Sequence, residues 1–281
     1  MPRHQGIPFD EIGVWSEVKL EIIRKYASAY STIFGSDKQA RFSHVYIDAF
    51  SGSGIHIAKE RGELVAGSPL NALWVKPPFQ EYHFIDLDGD KIAALKALAG
   101  DREDVHIYHG DCNEILVKEV FPRVKYEDYR RGLCLLDPYG LDLDWAVIEA
   151  AGRSGTIDMF LNFPIMDMNR NALWRNPDAV GQHGIARMNA FWGDDSWRKT
   201  AYRQRQTLFG EIDEKADNQA VVDGFRKRLH DVADFKYVAE PLPMRNSTNA
   251  VVYYLFFASQ KESAKNIIAD ILAHYRGSQK E

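Results

Sequence analysis

The chain has 281 residues with a formal net charge of −5, 45% hydrophobic and 27% charged residues, the balance of an ordinary water-exposed globular protein and not of a disordered, collagenous or coiled-coil one. At about 150 residues per domain this is one domain or two, large enough to bury a core without staples. Two cysteines, Cys112 and Cys134, cannot build a disulfide framework or a four-ligand zinc site. The N-terminal sequence shows no apolar signal region, and the longest apolar run, 250–258, falls far short of the ~20 residues of a membrane helix. The expectation is a chain that stays off membranes, in a reducing cytoplasm.

Charge is unevenly spread. Residues 169–209 carry seven Arg and Lys against Asp178, Asp194 and Asp195, a net +4 that leaves −9 for the remainder. They also hold three of the six tryptophans, Trp174, Trp192 and Trp197.

In chain order, Trp15, Val18, Ile22, Ile23, Tyr26, Tyr30 and Ile33 recur at helical spacing and predict a helix over 15–34. Short apolar runs then alternate with helical stretches. Strands are predicted at 44–50, 82–87, 105–108, 133–136 and 157–163, with helices at 68–75, 91–98, 113–120 and 144–151. Such alternation argues for right-handed βαβ units and a largely parallel sheet. The rhythm breaks at 169–209. A helix at 214–230, strands at 236–239 and 251–258, and an amphipathic helix at 262–275 follow. The whole reads as one α/β domain over 1–281, with an N-terminal helical extension over 1–40 and an inserted helical lobe at 169–209.

The chemistry gathers where strands end. The first strand runs from Tyr46-Ile47-Asp48-Ala49-Phe50 into Ser51-Gly52-Ser53-Gly54, a small-residue turn on which a ligand can lie against the backbone. Ile57 stands where a dinucleotide fingerprint needs its third glycine, and the chain has no Gly-Lys-Ser/Thr of a P-loop. The second strand ends in Asp86-Leu87-Asp88, whose carboxylates can accept both hydroxyls of a ribose or merely cap the next helix. The third ends in Gly110-Asp111-Cys112, where Asp111 can accept from an adenine amino group or serve as an N-cap. The fourth ends in Asp137-Pro138-Tyr139-Gly140: a carboxylate and a proline carbonyl offer two acceptors to one NH₂ group, and a ring can stack on a planar base. The bland alternative is a β-turn with proline in second position. Four consecutive strand ends suited to one adenosine-type ligand are more than independent turns would supply.

These motifs resemble the series found in class I S-adenosylmethionine-dependent methyltransferases, and Asp137-Pro138-Tyr139 is similar to the Asp/Asn-Pro-Pro-Tyr of enzymes that methylate nucleobase amino groups, without its second proline. More closely, the 15–30 helix, the 46–54 loop, and the stretches 67–73, 135–145, 161–178 and 245–259 resemble the three-Cys-motif partner family, whose members are encoded beside a protein with a cysteine motif. The resemblance implies a Rossmann-like methyltransferase sheet, seven-stranded, mostly parallel with an antiparallel last strand at 251–258, and helices on both faces. It implies S-adenosylmethionine as cofactor, held by Asp48, Phe50, Gly52, Ser53 and Gly54 at its methionine end and by Asp86, Leu87, Asp111 and Cys112 around the adenosine. Asp137, Pro138 and Tyr139 fall in the target site, with Asn162 beside them at the fifth strand end. No metal is required.

Residues 55–66 form an insertion, either a lid over the cofactor or a surface loop. In the 169–209 segment, arginines interleaved with Trp174, Phe191, Trp192 and Trp197 suit a nucleic-acid strand by charge neutralisation and stacking, with Arg170, Trp174 and Arg175 as the candidate contacts, against the alternative of a small aromatic-cored subdomain with a solvated basic face. The function expected is methyl transfer to an amino group of a nucleobase in RNA or DNA. The alternative is a methyltransferase-fold binding subunit that docks a cysteine-motif partner.

Overall fold

The computed structural model describes residues 9–39, 41–207 and 210–277. Its strands are β1 (Asp10–Ile12), β2 (Ser43–Asp48), β3 (Ile55–Ala58), β4 (Leu64–Ala66), β5 (Glu81–Asp86), β6 (Val105–His109), β7 (Arg130–Leu136), β8 (Ile157–Phe163), β9 (Tyr202–Thr207), β10 (Gly210–Lys215), β11 (Tyr237–Val238), β12 (Leu242–Arg245) and β13 (Val251–Ser259). The helices are α1 (Val14–Phe34), α2 (Ser68–Leu73), α3 (Gly89–Ala99), α4 (Cys112–Ile115), α5 (Trp145–Ser154), α6 (Ile165–Asn171), α7 (Gln182–Trp192), α8 (Trp197–Ala201), α9 (Asn218–Asp231) and α10 (Glu262–Gly277).

The main sheet runs β11-β13-β8-β7-β2-β5-β6, with β12 pairing the first half of β13. β6, β5, β2, β7 and β8 are parallel, and β13 is antiparallel to β8 in the register Tyr254↔Phe163 to Ala258↔Met159. This is the predicted sheet with one further strand, β12. Parallel strands must be apolar on both faces, and β2 shows how the sequence arranges it. Val45 and Ile47 join a core with Leu136, Met159, Leu161 and Phe163 on one face, while Tyr46 joins Tyr82, Phe84, Leu135 and Phe160 on the other. Helices α1 and α10 cover the Tyr46 face; α5, α7, α8 and α9 cover the Val45 face.

Several elements differ from expectation. The 1–40 segment is no appendage: its described part holds a strand, β1, and α1 is a layer of the domain, burying Ile22, Ile23, Tyr26, Ala27 and Tyr30 on the sheet. The insertion at 55–66 is a β3–β4 hairpin, which β1 extends in parallel to a small three-stranded sheet. The predicted 113–120 helix is helical from Cys112 and widens to a π turn at Leu116–Val120, just before Pro122. The 169–209 segment is not a purely helical lobe. Its described part ends in β9, residues 208 and 209 lying outside the described residues, and the antiparallel ribbon with β10 takes residues 214 and 215 from the predicted 214–230 helix, so α9 starts at Asn218, behind the Asp217 cap.

The same segment shares the main core. Phe191, Trp192 and Trp197 are fully buried, with Phe191 and Trp192 packed on Phe225 of α9 at ring-centroid distances of 5.7 and 5.3 Å. Trp174 is 40% exposed and donates its indole N–H to the Arg170 carbonyl. Trp192→Ala or Trp197→Ala is expected to cost about 3–5 kcal/mol in denaturant unfolding, and Trp174→Ala less than about 1 kcal/mol. Equal losses at all three positions would contradict this placement.

Candidate functional site

Sheet order reverses between β2 and β7, because β2 leads outward to β5 on one side while β7 leads to β8 on the other. The carboxyl ends of the two strands diverge there, leaving the crevice in which open α/β sheets bind ligands. In this chain the crevice has two connected parts that share Phe50 and Tyr139.

The smaller part, about 170 Å³, is lined by Ala49, Phe50, Asp86, Leu87, Gly110, Asp111, Cys112, Tyr139 and Asp142. Asp86 ends β5, and its two oxygens accept from the backbone N–H groups of Gly52 (2.8 Å) and Asp88 (2.9 Å). The same carboxylate therefore fixes the glycine turn and edges the cavity. Gly52 sits at φ +63 with open space where a side chain would be, which lets a ligand approach the backbone. Asp88 is the N-cap of α3, accepting from Asp90 and Lys91. Asp111 caps α4 through one oxygen, accepting from Asn113 at 2.9 Å, and lines the cavity as well. Burial, then Asp111, pushes the Cys112 thiol up to about 12. A thiol held up in this way is disfavoured as the thiolate that a nucleophile needs.

The larger part, about 370 Å³, is lined by Asp10, Glu11, Ile12, Ser16, Lys19, Leu20, Phe50, Ser51, Gly52, His56, Ser68, Asp137, Pro138, Tyr139, Asn162 and Tyr253. Asp137, at the end of β7, makes an ion pair with the buried ammonium of Lys19 from α1. Burial opposes the charge on Lys19, yet Asp137 and then Tyr253 hold its pKa above the ordinary lysine value. The Lys19 ammonium lies 5.4 Å from the centre of the Tyr253 ring. Asn162 is buried, and its Oδ1 has no protein partner. Asp48 lies beneath, wholly buried, with Oδ1 accepting from Phe50 N–H at 3.3 Å and Oδ2 without a partner. Burial pushes its carboxyl up to about 7, against the pull of the Ser68 hydroxyl and with Asp137 adding to the rise.

A raised carboxyl binds its proton more tightly folded than unfolded. It favours folding below the ordinary Asp value, and that contribution is lost as pH climbs through about 7. Asp48→Asn removes it. Between about pH 4 and about pH 8, wild type should lose stability relative to the variant in urea unfolding. A constant difference across that range would show that Asp48 titrates normally.

The β1–β3–β4 sheet covers this part of the cleft. Asp10 of β1 pairs with Lys91 at 2.6 Å and accepts from the Tyr139 hydroxyl at 3.1 Å, while the Lys91 ammonium lies 5.4 Å from the Tyr139 ring centre. Tyr139 is 66% exposed, so its ring is open for stacking while its hydroxyl is tethered.

Most predicted residues thus converge on one crevice. Phe50, Gly52, Asp86, Leu87, Asp111, Cys112, Asp137, Pro138, Tyr139 and Asn162 line it. Ser53 and Gly54 do not. Ser53 turns its hydroxyl to the Ile55 carbonyl at 3.0 Å, and Gly54 packs where a Cβ would meet Leu95 at 3.0 Å, so these two residues shape the turn. Arg170, Trp174 and Arg175 also lie outside the lining, on the exposed surface of α6 and the residues after it. Sequence reasoning missed Lys19, Asp10, His56, Ser68 and Tyr253. A signal existed for Lys19: it is a lone cation on the apolar stripe of α1, four residues after Trp15 and three before Ile22.

This strand order, with an antiparallel strand entering beside β8, defines the Rossmann-like fold of class I methyltransferases. No family model and no curated protein matches the sequence. Among solved structures, a protein from Legionella pneumophila strain Philadelphia 1 aligns at a TM-score of 0.54 and 14% identity, covering 93% of this chain and 92% of its own. It shares the fold. A Listeria monocytogenes protein described as an S-adenosylmethionine-dependent methyltransferase aligns at 0.41 and 10% identity, over 84% and 99% of the two chains. A methyltransferase from Leishmania major aligns at 0.37 and 10%, over 87% and 82%.

Proposed function

We propose that the chain is an S-adenosylmethionine-dependent methyltransferase acting on an amino group of a nucleobase in RNA or DNA. The observation that carries this reading is the two-part crevice: carboxylates Asp86 and Asp111 edge one part, and the acceptors Asp137, Pro138 and Asn162 edge the other, with Phe50 and Tyr139 between. The orphaned oxygen of Asn162, which lines the larger part, also fits a polar ligand, since buried acceptors without partners are costly.

In this reading Asp86 takes the ribose hydroxyls, Asp111 the adenine amino group, and the Gly52 turn the methionine end above Asp48. When bound, S-adenosylmethionine supplies a methyl carbon carried on a sulfonium. Asp137 and the Pro138 carbonyl accept the two N–H bonds of the target amine, which turns its lone pair toward that carbon. Asp137 and Pro138 hold the amine there as the bound cofactor would give its methyl to that lone pair and keep the S–C electron pair, and one N–H proton leaves to water. Tyr139 stacks on the base. Positioning supplies the catalysis here, as it does where reacting atoms are held in line.

Arg170, Trp174 and Arg175 are proposed to guide the strand that carries the base. Support comes from α6, which begins two residues after β8 ends and is tied to the ribbon by Lys215, whose ammonium donates to Asn169 and the Leu173 carbonyl. The ribbon itself favours a second reading, docking of a cysteine-motif partner as in the three-Cys-motif partner family: residues 203–206 and 210–214 are exposed, and Ile212 is half-exposed. Tritiated methyl transfer to pooled RNA, DNA and protein separates the two. Label in the bases of a nucleic acid is the expected result; label in protein, or in nothing, would overturn the nucleobase reading.

A further inference from the structure

On the target side of the crevice two of the three lining carboxylates are matched, Asp137 by Lys19 and Asp10 at the mouth by Lys91, while Glu11 of β1 is exposed to solvent. Beneath lies Asp48, whose carboxyl burial pushes up to about 7. On the remaining sides are the neutral groups Asn162, Tyr253 and His56, the last held neutral by burial. Lys19 is no incidental neighbour. It is a buried lysine on a helix face whose other buried residues, Ser31 apart, are apolar or aromatic, and it is directed at the one carboxylate that would hold the target nitrogen. Desolvating a lysine is expensive, and a helix that needed only to cover the sheet would carry an apolar residue there.

Resting on the methyltransferase reading above, we propose that Lys19 determines specificity: by neutralising Asp137 it makes the target site accept a neutral, lone-pair-bearing amino group, such as the exocyclic NH₂ of a base, and turn away alkylammonium groups such as lysine side chains and polyamines. A bare carboxylate at this depth would attract an ammonium most strongly of all, and an ammonium has no lone pair to give. With Lys19 in place, Asp137 keeps its acceptor oxygens while the local field for a cation is cancelled.

The test needs no identified substrate. Sinefungin is an adenosyl amino acid bearing a primary ammonium where S-adenosylmethionine carries its methylated sulfur, and S-adenosylhomocysteine has a neutral thioether there. The ratio of their affinities reads the field at the transfer position. Calorimetric titration of wild type should give affinities within about threefold of each other. Lys19→Met, which leaves Asp137 uncompensated, should favour sinefungin by about tenfold or more, and Asp137→Asn, which leaves the cation, should disfavour it by a similar factor. Either shift supports the inference, so one folded variant suffices. Wild type already preferring sinefungin tenfold, or both variants keeping the wild-type ratio while still binding S-adenosylhomocysteine, would overturn it. Wild type that binds neither compound overturns the cofactor reading itself, and this inference with it.

Discussion

Asp137→Asn should lower methyl transfer by about two to three orders of magnitude while leaving affinity for S-adenosylhomocysteine within about threefold. The size follows from what is lost: a fixed acceptor that holds the amine N–H and aligns its lone pair with the methyl carbon, an effect of this order where preorganised polar groups are removed from other enzymes. Cofactor affinity is spared because Asp137 lines only the larger part of the crevice, whereas the proposed adenosine contacts line the smaller. The substitution also strands the Lys19 ammonium, and an uncompensated buried charge costs about 3–5 kcal/mol of stability. Adding Lys19→Met to Asp137→Asn should therefore recover stability without recovering transfer. Unfolding curves and single-turnover transfer on the same three proteins check this; a double variant that regained activity would remove Asp137 from the chemistry.

Asp86→Ala carries the other large effect. Its carboxylate holds Gly52 N–H and Asp88 N–H at once and faces the smaller cavity. Loss of a charged acceptor from a ligand costs about 1.5–3 kcal/mol, and loosening the glycine turn adds to that. Affinity for S-adenosylhomocysteine is expected to fall by about 30-fold or more, measured by calorimetry. Asp88→Ala is the contrast: its carboxylate only caps α3, so it should cost about 1 kcal/mol of stability and little affinity. Unchanged binding in Asp86→Ala would refute the ribose assignment.

What could be read from the sequence was what is local in the chain. The parallel strands announce themselves because both faces are buried, as Val45-Tyr46-Ile47 and the exactly placed 157–163 strand show. Their carboxyl-end residues then follow from topology, which is why Asp86, Asp111, Asp137 and Asn162 were predictable. The hidden part depends on distant pairing. β1 is three residues long and exists only because Ile55–Ala58 offers it an edge. The β9–β10 ribbon has mostly polar, exposed side chains and leaves no hydrophobic alternation to detect. Trp192 and Trp197 looked suited to stacking on bases, yet Phe225, more than 25 residues downstream, helps to make them core. Lys19 meets Asp137 across 118 positions of sequence, a contact that periodicity alone cannot supply.

The central claim, that the crevice at the β2–β7 switch binds an adenosyl amino acid, is tested most directly by titrating the intact protein with S-adenosylhomocysteine in a calorimeter. The account predicts one site per chain with micromolar affinity, weakened by Asp86→Ala. A folded protein that releases no heat of binding at millimolar ligand would contradict it.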